Sequence, residues 1–306
     1  MIRTAIYGIG KIALDQHIPT INSSKNYELV ALISNKKLSL NVPQFSSISE
    51  LVSSGIFIDA ITLATPPAAR FDLALEAISH GYNLMLEKPP CSSVEECSIL
   101  IESAEQAKVT IFAGWHSKYA LMISFAREWI KKNGCDHFEI FWKEDYNKWH
   151  PDQKWIKKEG GLGVFDSGIN ALSMMYELMD IDSSPENVLF FRPSNWETPI
   201  AASFSLKTND NVIGKVEFDW RATGEDIWDI KFFSGSSEMV LSDGGQSMFV
   251  DNIPICFEGE KLSEYELMYK HFEDAITAKE SSFDFKPLQH VLNLYKKAIW
   301  KEIDSF

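Results

Sequence analysis

Cysteine is sparse in this chain. The four present, Cys91, Cys97, Cys135 and Cys256, include no C-x-x-C pair. That excludes a disulfide framework and a cysteine-rich zinc site, and no metal is expected. No apolar run approaches the ~18 residues that a membrane-spanning helix needs. Positive charge is also short: 29 Lys and Arg stand against 43 Asp and Glu, a formal net charge of −14. Such a balance argues against nucleic acid and anionic membranes as partners. There is no internal repeat and no low-complexity segment. The N-terminus, Met1-Ile2-Arg3-Thr4, runs straight into an apolar stretch and Gly8, leaving no room for a signal peptide, so a cytoplasmic protein is expected. What remains is an ordinary soluble composition, 45% hydrophobic and 24% charged, in 306 residues. That length suggests two domains.

The first 118 residues alternate short apolar runs with stretches of helical spacing, the pattern of a doubly wound parallel sheet. Ile2 to Tyr7 reads as the first strand. Gly8-Ile9-Gly10-Lys11-Ile12-Ala13 follows it and fits G-x-G-x-x-A in the context that the motif requires, a strand before and a helix after. Gly8 permits the tight turn and Gly10 a close approach of a pyrophosphate. Glu28 to Ser34 reads as the second strand. An NAD enzyme usually ends this strand in an acid that holds the ribose 2′-hydroxyl; here stand Ser34, Asn35, Lys36 and Lys37. A hydroxyl, an amide and lysines suit a 2′-phosphate, so NADP is the expected dinucleotide, with NAD also possible. Asp59 to Thr65 is a further strand, stopped by Pro66-Pro67. Asn83 to Glu87 is another, stopped by Pro89-Pro90 just after Lys88. Open α/β sheets bind ligands at the carboxyl ends of their strands. Thr65, Pro66, Glu87 and Lys88 therefore join Gly8, Gly10, Lys11, Ile12, Ser34, Asn35 and Lys36 as expected cofactor contacts. Val109 to Ala113 brings His116 to the same edge.

From residue 119 the rhythm changes. After a helix around Tyr119 to Lys132 come strand-like segments from Phe138 to Val250 joined by short turns, a large, mostly antiparallel sheet in an α+β domain spanning 119–306. Two helices are expected to close the chain, Glu264 to Ala278 and Leu288 to Lys301. Between the first strands lies Lys148-Trp149-His150-Pro151-Asp152-Gln153-Lys154-Trp155. Indole faces suit the apolar faces of a sugar ring, and His150 can bond its hydroxyls. Gly163-Val164-Phe165-Asp166-Ser167-Gly168-Ile169-Asn170 then opens a helix on which Asp166 and Asn170, four apart, share a face. An ionised Asp166 gains from the helix dipole there.

Together these motifs resemble the glucose–fructose oxidoreductase and inositol dehydrogenase (Gfo/Idh/MocA) family over the whole chain. The resemblance rests on Gly8–Ala13, Glu87-Lys88-Pro89 and Asp166-x-x-x-Asn170. Within the family, the stretches Gly10–His17, Trp149-His150-Pro151 and Gly163–Ser173 are most similar to bacterial aldose 1-dehydrogenases acting on L-arabinose or D-galactose. The resemblance implies an N-terminal Rossmann domain and a second domain that closes a sugar site and joins subunits into a homodimer or higher homo-oligomer. It implies NAD(P)-dependent oxidation of an aldopyranose, possibly including D-fucose, at the anomeric carbon. Lys88, Asp166 and Asn170 would be catalytic and also touch the sugar, with His116, Trp149 and His150 reading the ring. Much of the family has histidine where Asn170 stands. An amide exchanges no proton near neutral pH, which leaves acid–base work to Asp166, Lys88 or both. The competing reading is a non-catalytic sugar- and dinucleotide-binding regulator on the same fold. An imine or biliverdin-type reductase would leave the Trp149-His150 stretch unexplained. Apolar Phe218, Trp220, Ile230 and Phe232 are expected to face a partner subunit across the late sheet.

Overall fold

The computed structural model describes residues 1–36, 38–151 and 153–306. Lys37 and Asp152 lie outside the described residues. The chain divides into two compact units. Met1–Trp115 with Tyr265–Phe285 forms the first, and His116–Glu264 with Lys286–Phe306 the second.

The first unit is built on six parallel strands: β1 (Ile2–Tyr7), β2 (Tyr27–Ile33), β3 (Gln44–Phe45), β4 (Ala60–Leu63), β5 (Asn83–Glu87) and β6 (Ile111–Gly114). Their spatial order is β3-β2-β1-β4-β5-β6. The order reverses between β1 and β4, which makes the carboxyl ends of those strands the ligand-binding crevice of the architecture. Strands β4 to β6 are apolar almost without interruption because both faces are covered. Helices α1 (Ile18–Ser23), α2 (Ile48–Ser53), α3 (Pro67–Ser79) and α4 (Val94–Ala107) connect the strands. The α4 start is a capping box in slightly shifted form. Ser93 Oγ accepts the Glu96 N–H at 3.1 Å, and the Glu96 carboxylate accepts the Ser92 N–H at 2.8 Å.

The second unit begins at α5 (Ile123–Asn133), β7 (His137–Lys143), the short α6 (Tyr146–Trp149) and α7 (Phe165–Leu178). Strands β8 (Ile181–Pro193), β9 (Ala201–Thr208), β10 (Ile213–Asp219), β11 (Ile227–Ser234), β12 (Ser237–Ser242), β13 (Ser247–Val250) and β14 (Ile253–Pro254) follow. The long helix α8 (Glu264–Ala278), then α9 (Lys286–Lys297) and β15 (Ile299–Ile303), close the chain. Nine strands form one sheet in the order β14-β13-β12-β11-β7-β10-β9-β8-β15. Among the described residues, only its β7–β10 and β8–β15 pairs are parallel. Helices α7 and α9 lie on one face, where Phe165 and Tyr295 pack with Phe190, and Phe165 also with Phe204 and Phe218. Gly168 permits this approach, since a Cβ there would stand 2.4 Å from the Phe218 ring.

Three expectations change here. Tyr265–Phe285 clusters with the first unit rather than with 119–306, because α8 bonds to that unit's sheet: Tyr265 and Tyr269 reach Glu87 and His17, and Ser282 extends the β6 edge. The last helix stops at Lys297, and Ile299–Ile303 forms an edge strand parallel to β8. Trp300 packs edge-on against Phe190 with ring centroids 5.0 Å apart, so tertiary contact decides against helix there. Finally, Phe218, Trp220, Ile230 and Phe232 are all buried within this chain, on the helix-covered side of the sheet. The opposite side carries Phe141, Phe191 and Phe233 among charged residues, with Lys143 over Phe141 and Arg221 over Phe191. Among the described residues, no helix is long and apolar enough to cross a membrane.

Candidate active site

In the first unit, the ends of β1, β2 and β4 converge on Gly8. Its N–H donates to Ile33 O at 3.0 Å. Its φ is +93°, and a Cβ would fall 2.7 Å from Thr65 N, so this turn requires glycine. Gly10 differs: a Cβ there would meet nothing within 4 Å. The backbone at Gly10 thus faces open space at the switch point, as a pyrophosphate needs. Thr65 Oγ1 is shut off from solvent and has no partner among the described residues. Ser34 Oγ accepts the Lys36 N–H at 3.1 Å, and Asn35 and Lys36 are exposed with no carboxylate in the turn. These features fit a dinucleotide. Lys11, expected among the contacts, is exposed and ion-paired with Asp15 one turn on. Ile12 is also exposed, and Pro66 caps the start of α3.

Lys88 follows β5 directly, beside the cis Lys88–Pro89 bond. Buried Arg70 clamps this segment by donating to the backbone oxygens of Thr65, Glu87 and Pro89. The Glu87 carboxylate, expected at the cofactor, turns inward and is 4% exposed. Its Oε1 lies 3.0 Å from His17 Nε2 and accepts from Tyr265 Oη at 2.9 Å, while Oε2 accepts the Lys88 N–H at 3.0 Å.

In the second unit, Asp166 occupies the first turn of α7 and Asn170 the next, both half-buried on one helix as their spacing predicts. Ser167, beside Asp166, accepts from Trp220 Nε1 at 2.9 Å. The Trp220 ring packs on His150 at 4.3 Å between centroids. His150 is buried, and its Nε2 lies 2.9 Å from Glu144 Oε1. Glu144 Oε2 accepts from Trp228 Nε1 at 2.8 Å, and the Trp228 ring sits 5.1 Å from that of Trp149. A chain of contacts therefore joins Trp149, His150 and the start of α7. Trp149 Nε1 and His150 Nδ1 are both cut off from solvent and without a partner among the described residues. An ionised Glu144 can only accept, so His150 donates to it through Nε2, and Nδ1 is the ring atom left without a partner among the described residues. Buried polar atoms of this kind are costly unless something meets them.

Sequence reasoning missed Glu144, Trp220 and Trp228. Glu144 had a signal: it is the acid that directly follows the apolar strand β7. The tryptophans had none, since only the fold brings β10 and β11 beside α6. His116 follows β6 at the unit boundary and falls in the second unit, where its Nδ1 lies 2.5 Å from Glu264 Oε2. Among the described residues, no three or more of His, Cys, Asp and Glu are grouped to hold a metal ion.

Residues 2–115 match the Gfo/Idh/MocA oxidoreductase family, NAD-binding Rossmann fold. Along its full length the chain is 36% identical over 307 residues to galactose 1-dehydrogenase of Pseudomonas fluorescens, covering 98% of that protein. Glucose-6-phosphate 3-dehydrogenase of Bacillus subtilis is 26% identical over 204 residues, covering 61% of this chain and 57% of that one. Among solved structures, D-galactose-1-dehydrogenase from Rhizobium etli superposes with a TM-score of 0.93 at 35% identity, covering 100% of this chain and 97% of the other. The 3-ketoreductase KijD10 from Actinomadura kijaniata, solved with NADP and TDP-benzene, has a TM-score of 0.85 at 12% identity, covering 99% of each chain, a likeness of fold alone.

Proposed function

This chain belongs to the Gfo/Idh/MocA family of oxidoreductases, and from that membership we propose that it is an NAD(P)-dependent aldose 1-dehydrogenase. The observation that carries the reading is the pair of partnerless polar atoms, Trp149 Nε1 and His150 Nδ1, set among three indoles. Indole faces and isolated polar atoms suit a pyranose, which offers apolar C–H patches ringed by hydroxyls. The full-length similarity to two galactose dehydrogenases points to the same sugar class. A nicotinamide dinucleotide held at the Gly8–Gly10 turn would supply the hydride acceptor for oxidation of C1 to the aldonolactone, a reaction that also needs a group to receive the C1 hydroxyl proton. In this reading Lys88, Asp166 and Asn170 are the residues that act on that hydroxyl. Asp166, ionised at a helix N-terminus, accepts the proton; the Lys88 ammonium stabilises the developing alkoxide; Asn170 orients the sugar.

L-arabinopyranose and D-galactopyranose share their hydroxyl arrangement at C2, C3 and C4, so a site reading those groups accepts both, and D-fucose. Inverting C4 strands buried polar groups and costs far more than a change at C5. Initial rates on D-galactose, L-arabinose, D-fucose, D-glucose and D-xylose, each with NADP and with NAD, test the reading. The expected result is higher kcat/KM for the first three, with NADP accepted. Preference for D-glucose or D-xylose overturns the sugar assignment. Tight NADP binding with no aldose turned over favours the regulator instead.

The chain also works as a homo-oligomer, first of all a dimer, joined through the face of the second sheet that bears Phe141, Phe191 and Phe233. A monomer by light scattering at micromolar concentration contradicts this.

A further inference from the structure

The first unit buries a hydrogen-bonded chain that dinucleotide binding does not require. His17 is fully buried, at the end of a π-helical turn, Ala13–His17, that directly continues the glycine fingerprint. Its Nδ1 lies 2.9 Å from Tyr269 Oη, which in turn lies 3.1 Å from Thr62 Oγ1. Its Nε2 meets Glu87, which also receives Tyr265 Oη and the Lys88 N–H. The geometry accommodates an assignment in which Thr62 donates to Tyr269, Tyr269 donates to His17 Nδ1, and His17 donates through Nε2 to Glu87. The carboxylate then accepts from a ring N–H, a phenol and a backbone amide.

A buried carboxylate is costly even when well paired, and apolar residues of similar size would stabilise a sheet core at least as well. The network therefore needs an account beyond stability, and it reaches the backbone of Lys88. We infer that His17, Glu87 and Tyr265 are positioning residues for Lys88. Tyr265 and His17 fix Oε1 of Glu87, and the carboxylate so fixed holds the Lys88 amide through Oε2. Arg70 fixes the same segment from its carbonyl side. The imidazole that aims Lys88 sits on the turn that follows the expected pyrophosphate site, so both functions share one stretch of chain. The significance of Lys88 rests on the aldose dehydrogenase reading; the positioning itself does not.

The test pairs kinetics with hydrogen exchange at the Lys88 amide in the full-length protein. Tyr265→Phe removes one hydroxyl and His17→Leu removes the ring nitrogens. Each should lower kcat about tenfold, the scale of one hydrogen bond to a charged group, and leave the NADP dissociation constant within about twofold. Each should also speed Lys88 amide exchange at least about tenfold. His17→Gln, which can donate to Glu87 and accept from Tyr269, should recover most of kcat and of the protection. Unchanged Lys88 exchange in Tyr265→Phe, the variant least able to disturb folding, overturns the inference. So does a Gln variant as impaired as Leu. If wild type turns over no aldose, the function reading fails, while exchange at Lys88 still decides the positioning claim.

Discussion

His17 in the first unit and His150 in the second each hold a buried glutamate, at 3.0 and 2.9 Å. Both rings are packed among aromatics, and both glutamates accept a second side-chain donor, Tyr265 or Trp228. They part at the far ring nitrogen. Tyr269 meets His17 Nδ1, whereas His150 Nδ1 is buried and partnerless among the described residues, as is the neighbouring Trp149 Nε1. The two pairs thus differ in satisfaction. The first has both ring nitrogens of its histidine met within the chain. The second leaves one ring nitrogen without a partner among the described residues, the atom that the proposed reading gives to the sugar. Burial and residue type are alike in the two; the count of satisfied atoms separates them.

The largest effects should fall on the groups that the pairs serve. Lys88→Met and Asp166→Ala are each expected to lower kcat about 10²-fold or more, the usual scale of a lost proton-transfer or charge-stabilising group, with NADP binding retained. Steady-state kinetics with the preferred aldose checks this. If His150→Ala or His17→Leu lowers kcat further than Lys88→Met does, the pairs themselves transfer the proton and the comparison breaks.

The next largest effect should separate the pairs by which constant moves. His150→Ala and Glu144→Gln remove the unmet atom or its support, so they should raise KM for the sugar about 30-fold and change kcat less. Variants of the first pair should do the reverse, with kcat falling and KM holding. Equal changes in both constants for both pairs would erase the distinction.

Much of this was legible in the sequence. Gly8–Ala13, the proline-stopped strand before Lys88 and the Asp166–Asn170 spacing are local patterns, and each is found where local chemistry puts it. The rest depends on residues far apart in sequence. Glu87 gains its partners from His17, 70 positions earlier, and from Tyr265, 178 positions later. Trp220 and Trp228 reach His150 only through the order of strands in the second sheet. Ile299–Ile303 lies in a stretch of helical spacing, and only its docking beside β8 makes it a strand. Periodicity identifies an element and its buried face; it does not say which element will lie across from it.

A third buried histidine supplies the control that neither pair can. His290 is fully buried, and its Nδ1 lies 3.1 Å from Tyr176 Oη. No carboxylate is bonded to it, and its Nε2 is partnerless among the described residues. Burial, offset only in part by Asp182, pushes its pKa down from 6.5 to about 4. The unfolded chain therefore binds a proton that the folded one refuses between those values. This histidine's contribution to stability is at its full, unpenalised level above pH 6.5 and erodes as pH falls from 6.5 toward 4, after which the loss is constant. At pH 5.5 the erosion amounts to about 1 kcal/mol. His290→Asn, whose amide oxygen can take the place of Nδ1 toward Tyr176, should unfold with correspondingly less dependence on acid. Urea unfolding of both proteins at pH 7.5 and pH 5.5 measures the difference. Parallel pH dependence in the two would mean that burial does not hold the His290 imidazole neutral in the folded chain.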